Sequence, residues 1–126
     1  MIAYKGFHPG LICRGYQFVM GLNVTDQANC RSNGFHCAAN PLDCLSYYKD
    51  MEQSEYYLVD AGGDIDEDGT DTKISCTHLT IIQKLSRTDF FLHALAYMVD
   101  HPNLEWNGCV KKDAGYAERG FAVVRG

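Results

Sequence analysis

The segment Asp64-Ile65-Asp66-Glu67-Asp68-Gly69-Thr70-Asp71 sets carboxylates at alternating positions ahead of a glycine. This is the first half of a calcium loop, since a hard cation takes several oxygen ligands and the chain must then turn around it. The second half departs from that pattern, because the twelfth position is Ser75 where the loop needs a bidentate Glu. Asp64, Asp66 and Asp68 are the candidate metal ligands, with calcium or magnesium as the ion. A solvated acidic turn between two strands is the plainer reading. The same carboxylates, Asp64, Asp66, Glu67, Asp68 and Asp71, can also form an anionic surface that mimics nucleic acid for a basic partner.

Five histidines stand at 8, 36, 78, 93 and 101, and none belongs to an H-E-x-x-H pair. His36 draws notice because it lies in a short strand that runs straight into a capped helix. Six cysteines at 13, 30, 37, 44, 76 and 109 form no C-x-x-C pair. They read as small buried hydrophobes. No basic and apolar leader opens the chain, which points to reduced thiols and a cytoplasmic setting. No G-x-S-x-G elbow or cysteine-protease context supplies a nucleophile. Arg14, Arg31, Arg87, Arg119 and Arg125 are scattered, and any one could grip a phosphate or a carboxylate.

The elements that must position these groups read as an α+β single domain spanning residues 1–126. Its sheet is mainly antiparallel or mixed, of about five to six strands, with two helices near 41–48 and 87–100. Strands are expected at Ile2–Phe7, Gly34–Ala38, Glu55–Ala61 and Thr72–Gln83, with an extended Leu11–Met20, a polar loop at 23–33 and a last strand at 121–124. Asn40 is an N-cap with Pro41 at the first helical position and Asp43 in the first turn. Ser86 and Asp89 cap the longer helix, and Pro102 ends it. That helix carries two apolar stripes, Phe91-Leu95-Met98 and Phe90-Ala94-Tyr97. Together they suit a helix sandwiched in the core, or one with a stripe against a second subunit in a homodimer.

The chain has 126 residues, 46% hydrophobic content and a net charge of -5. That size suits one core. The acidity argues against direct nucleic-acid binding, which needs a basic surface. It allows an acidic protein to occupy the basic groove of a nucleic-acid-binding partner. No apolar run is long enough to span a bilayer.

Four pieces occur together: Tyr4-Lys5-Gly6-Phe7; Cys13-Arg14-Gly15-Tyr16-Gln17-Phe18; Gly34-Phe35-His36-Cys37 with Asn40-Pro41-Leu42-Asp43 and Tyr47-Tyr48; and Asp71-Thr72-Lys73-Ile74-Ser75-Cys76. In this combination the chain resembles a phage and prophage domain family of unknown function, over about residues 2–86. Members often carry a Gly-Ser-Ala repeat tail, of which residues 113–126 look like a remnant. The resemblance implies a bacterial host setting. With no complete catalytic motif, it suits a binding protein that inhibits host defence, anti-CRISPR-like, by contact with a host protein such as a nucleic-acid-binding defence effector. A second resemblance is to small ADP-ribosyltransferases, through Tyr4-Lys5-Gly6 and Gly34-Phe35-His36 with Asn40. It implies NAD as cofactor, or a relative that only sequesters nucleotides. Tyr4, Lys5, His36 and Glu118 are then the candidate catalytic residues, and Phe35, His36 and Arg14 the candidate cofactor contacts. Lys5 stands where those enzymes carry Arg or His, and no Glu-x-Glu pair follows in the tail.

Overall fold

Two thirteen-residue strands, β6 (Glu55–Glu67) and β7 (Lys73–Leu85), form a long antiparallel hairpin at the centre of the molecule. The computed structural model describes residues 1–28, 33–67, 69 and 71–103. Around the hairpin stand β1 (Ile2–Phe7), β4 (Gly21–Val24) and β5 (Phe35–Ala38). The two-residue strands β2 (Ile12–Cys13) and β3 (Tyr16–Gln17) pair with each other. A single turn-like 3-10 helix covers Pro41–Ser46, and α1 covers Arg87–Asp100.

All pairings of the main sheet are antiparallel, and the sheet closes on itself. β1 runs along β6 from Ile2↔Asp60 to Phe7↔Glu55. β5 and β4 lie end to end on the other edge of β7, from Phe35↔Cys76 to Ala38↔Lys73 and from Gly21↔Ile81 to Val24↔His78. β5 then meets β1 at Tyr4↔Ala38, completing a ring β1-β6-β7-β5. Register shifts between Leu58 and Val59 and between Gly62 and Ile65 bend the hairpin enough for this closure.

Alternation along β1 splits its side chains between two cores. Ala3 and Phe7 face inward with Cys37, Val59, Leu79 and Ile81. Tyr4 faces outward, where Phe90 and Phe91 of α1 close on Tyr56, Leu85 and Cys44. Tyr56 stacks on Phe90 at 4.5 Å between ring centroids. Ser86 accepts from the Asp89 amide at 3.1 Å and caps the helix as its sequence predicts.

The α+β class and the single domain with two helical elements agree with the sequence reading. Several boundaries differ for physical reasons. The polar stretch after Met20 contains a strand rather than loop alone, because Asn23 is not solvated. Its side-chain amide donates to the carbonyls of Val19, Gly21 and Leu79. Leu11–Met20 is not one extended segment but a small hairpin, folded at Arg14-Gly15. The first helix is the short 3-10 turn Pro41–Ser46, and β6 runs on through Glu67, so half of the acidic loop is strand. On α1, Phe90, Phe91 and Ala94 are buried, while Leu92, Leu95 and Val99 are exposed. The strand expected at 121–124 and the remnant at 113–126 lie outside the described residues. No helix among the described residues is long and apolar enough to cross a membrane.

Candidate functional site

A cleft of about 590 Å³ opens where β1 and β5 part. The two strands pair at Tyr4↔Ala38 and at no further position. Past that point Lys5 and Gly6 on one strand, and His36 and Cys37 on the other, form facing walls. The His36 carbonyl accepts from the Lys5 Nζ. A buried carbonyl needs a donor, and here a side chain supplies it.

Lys5 is only 4% exposed. Its ammonium lies 5.3 Å from the ring centroids of both Phe7 and Phe18, a desolvated cation-π position. The ion pairs among the described residues, Met1 with Asp60 and Lys84 with Glu55, do not include it. Two further cations reach the cleft. Lys73, at the start of β7, holds its Nζ 4.7 Å from the Tyr47 ring centroid. Arg14 stands exposed on the β2–β3 turn. Among the described residues no Asp or Glu lines the cleft.

His36 reports the field these cations produce. Burial, and then the charges of Lys5, Lys73 and Arg14, push its pKa down from 6.5 to about 4. It is therefore neutral at physiological pH. Its Nε2 is buried and has no hydrogen-bond partner among the described residues. The floor is thiol-rich: Cys13, Cys37 and Cys44 line it. Burial pushes Cys44 up to about 12. A hydrogen bond to Cys76, and then burial, hold Cys37 well above its ordinary value. The Cys37 and Cys44 sulfurs are protonated apolar surface rather than nucleophiles.

Aromatic rings form the remaining wall. Tyr48 packs edge-on to His8 at 5.3 Å and donates to Cys13 Sγ at 2.9 Å. Tyr48 also explains Gly6. A Cβ at residue 6 would lie 2.7 to 2.9 Å from three Tyr48 side-chain atoms, so only glycine lets the ring cover β1. Tyr4 is held from behind, its hydroxyl 2.8 Å from His93 Nδ1.

The supports of the cleft come from distant segments. Thr72 fastens the 3-10 turn to β7: Asp43 Oδ2 accepts from its amide and its hydroxyl, and its Oγ1 accepts from the Asn40 amide at 2.8 Å. Asn40 Oδ1 also caps the turn through the Leu42 amide at 3.1 Å. Asp71 Oδ1 accepts from the Lys73 amide at 2.8 Å, and its Oδ2 from the Tyr47 hydroxyl at 3.0 Å. On the far rim, Arg14 (φ 52) and Gly15 (φ 78) make a two-residue hairpin turn of the type I′ kind. Asn-Gly suits such a turn, and an arginine there is strained by roughly 1–2 kcal/mol.

The candidate residues named from sequence fall in several places. Tyr4, Lys5, His36 and Arg14 all line the cleft. Phe35 does not: it is buried against Phe18 and Tyr16, on the inner side of the sheet. Glu118 and Asp68 lie outside the described residues. Asp64, Asp66 and Glu67 sit on the exposed end of β6, away from the cleft. Their extended backbone sets Asp64 and Asp66 about 7 Å apart along the strand rather than around one point. The described residues contain no group of three His, Cys, Asp or Glu placed to hold a metal ion. Asp71 is a structural acceptor rather than an exposed charge.

Sequence reasoning left out Lys73, Tyr47, Tyr48 and His8 as site residues. The available signal was their presence in, or next to, the four segments quoted above, each of which sends a side chain to the cleft.

No curated protein and no solved structure matches the chain significantly. Residues 1–93, which contain every residue of the cleft, match the pattern of a domain of unknown function, DUF7666, and the chain belongs to that family.

Proposed function

We propose that the cleft between β1 and β5 binds a small phosphate-bearing ligand of nucleotide type. One observation carries the reading: Lys5, Arg14 and Lys73 converge on one concavity where, among the described residues, His36 Nε2 has no partner and no carboxylate lines the wall. A buried ammonium held, among the described residues, by a carbonyl and two rings is electrostatically incomplete, and an anion entering the cleft completes it. The volume suits a compact organic ligand, and the tyrosines offer flat surface for a base. In a phage or prophage protein acting inside a bacterial host, such a site serves to withhold a nucleotide signal from host defence.

A thermal-shift series with NAD, ADP-ribose, cyclic nucleotides and inorganic phosphate tests this reading. A ligand at 100 times its Kd stabilises the fold by about 2.7 kcal/mol. No shift with any of these anions overturns the proposal. Incubation with labelled NAD and host lysate separates holding from ADP-ribosyl transfer, since only transfer leaves label on protein.

A second reading rests on the end of β6, where residues 63–67 are exposed in an unbroken row that includes Asp64, Asp66 and Glu67. This anionic tip suits contact with a basic, nucleic-acid-binding defence effector. Alanine at the three acidic positions should weaken such an interaction and flatten its salt dependence. Unchanged affinity dismisses the tip as a contact surface.

A further inference from the structure

The cations of the cleft stand at two depths. Lys5 is at the floor, buried, with its Nζ fixed by the His36 carbonyl. Arg14 is at the rim, exposed, on a turn of two residues. Both side chains line the same cleft, so both act on one space. The rim position is unusual in its backbone. A type I′ turn is most easily made by Asn-Gly, and this chain places the arginine in the left-handed region instead. The turn is also held rigidly from below. His8 and Ile12 exchange backbone hydrogen bonds, and Gln17 Nε2 donates to the Gly10 carbonyl at 2.8 Å and to the Phe18 carbonyl at 2.9 Å. A strained arginine on a braced turn is a group whose position matters more than its comfort. Its planar fork suits the free oxygens of a terminal phosphate, whereas a lysine ammonium acts as a point charge.

We infer that Lys5 and Arg14 hold two successive anionic groups of one ligand, so that the cleft selects a nucleoside diphosphate over the monophosphate. This rests on the reading of the cleft as a phosphate-ligand site. Lys5 takes the group nearer the nucleoside, and Arg14 takes the terminal one. Arg14 is therefore a specificity residue, which sets the number of phosphates rather than whether a ligand binds.

Titration calorimetry with ADP, AMP and inorganic phosphate at fixed ionic strength, on the wild type and Arg14→Asn, tests the inference. The wild type should bind ADP at least tenfold more tightly than AMP. Arg14→Asn should abolish that preference by weakening ADP at least tenfold more than AMP, and leave the unliganded melting temperature equal or higher. Equal affinities of the wild type for AMP and ADP overturn the inference while the cleft reading stands. So does an equal loss for both nucleotides in the variant, or a variant that melts lower. If AMP, ADP and phosphate all fail to bind the wild type, the cleft reading falls with it.

Discussion

The carboxylate of Asp43 accepts two hydrogen bonds from Thr72, from its amide at 2.9 Å and from its hydroxyl at 2.6 Å. Asp43 is thus more than a charge at a helix start. It ties the 3-10 turn to the strand that carries Lys73. Asp43→Ala leaves a part-buried amide and hydroxyl without their acceptor, which costs about 2 kcal/mol. Urea denaturation should show the midpoint falling with the m-value unchanged. Affinity for the ligand should fall as well, since Lys73 loses its anchor.

Gly6→Ala drives a methyl group into the Tyr48 ring. Overpacking of this kind costs about 1–3 kcal/mol. The displaced ring also gives up its bond to Cys13 and its place in the cleft wall. Melting temperature and ligand affinity should therefore fall together. A variant with wild-type values for both shows that Tyr48 has room to move aside.

His36 makes the protein sensitive to acid. Its folded pKa, about 4, lies below its ordinary 6.5, so protons bind the unfolded chain more readily. The stability it contributes is complete above pH about 6.5 and drains as pH falls towards 4. His36→Gln should flatten stability against pH in that window. An anion in the cleft favours the charged imidazole, so ligand affinity should rise on acidification across the same range. A proton-uptake signal in calorimetry near pH 5 checks this, and His36→Gln should remove it.

Thiol labelling probes the cleft floor. Cys13, Cys37, Cys44 and Cys76 are free and buried. With Cys44 pushed up to about 12 by burial, almost none of it is thiolate at neutral pH. Brief treatment of the native protein with iodoacetamide should leave these four unmodified by peptide mass mapping. Rapid alkylation of Cys44 in the native state contradicts the buried floor described above.

Much of the architecture is legible in the sequence because it follows local rules. Asn40-Pro41 and Ser86-Asp89 act as caps, and β7 carries the β-branched Thr and Ile that strands favour. The acidic segment misled because a strand continuing through Asp64–Glu67 is stabilised by its partner β7 rather than by its own composition. β4 was hidden for a similar reason. Asn23 belongs in a strand only once three distant or turned carbonyls are in place to receive its amide. The site was legible in pieces. Tyr4, Lys5, Arg14 and His36 were individually visible, but a cleft is made by the parting of two strands, and no local pattern encodes that. Phe35 and His36, adjacent in sequence, end on opposite faces of one strand; Phe35 packs against Tyr16 and Phe18, whereas His36 lines the cleft.

The ring of strands closes through one residue pair, Tyr4↔Ala38. The β6–β7 hairpin is local in the chain, and β1 adds to it along six positions. Closure against β5 brings together segments far apart in sequence for one paired position, so it forms late in folding and reopens at low cost. The seam that makes the cleft is then also where the ring of strands should open first. Amide exchange should be fastest there, and a ligand bridging its two sides would work as a clasp.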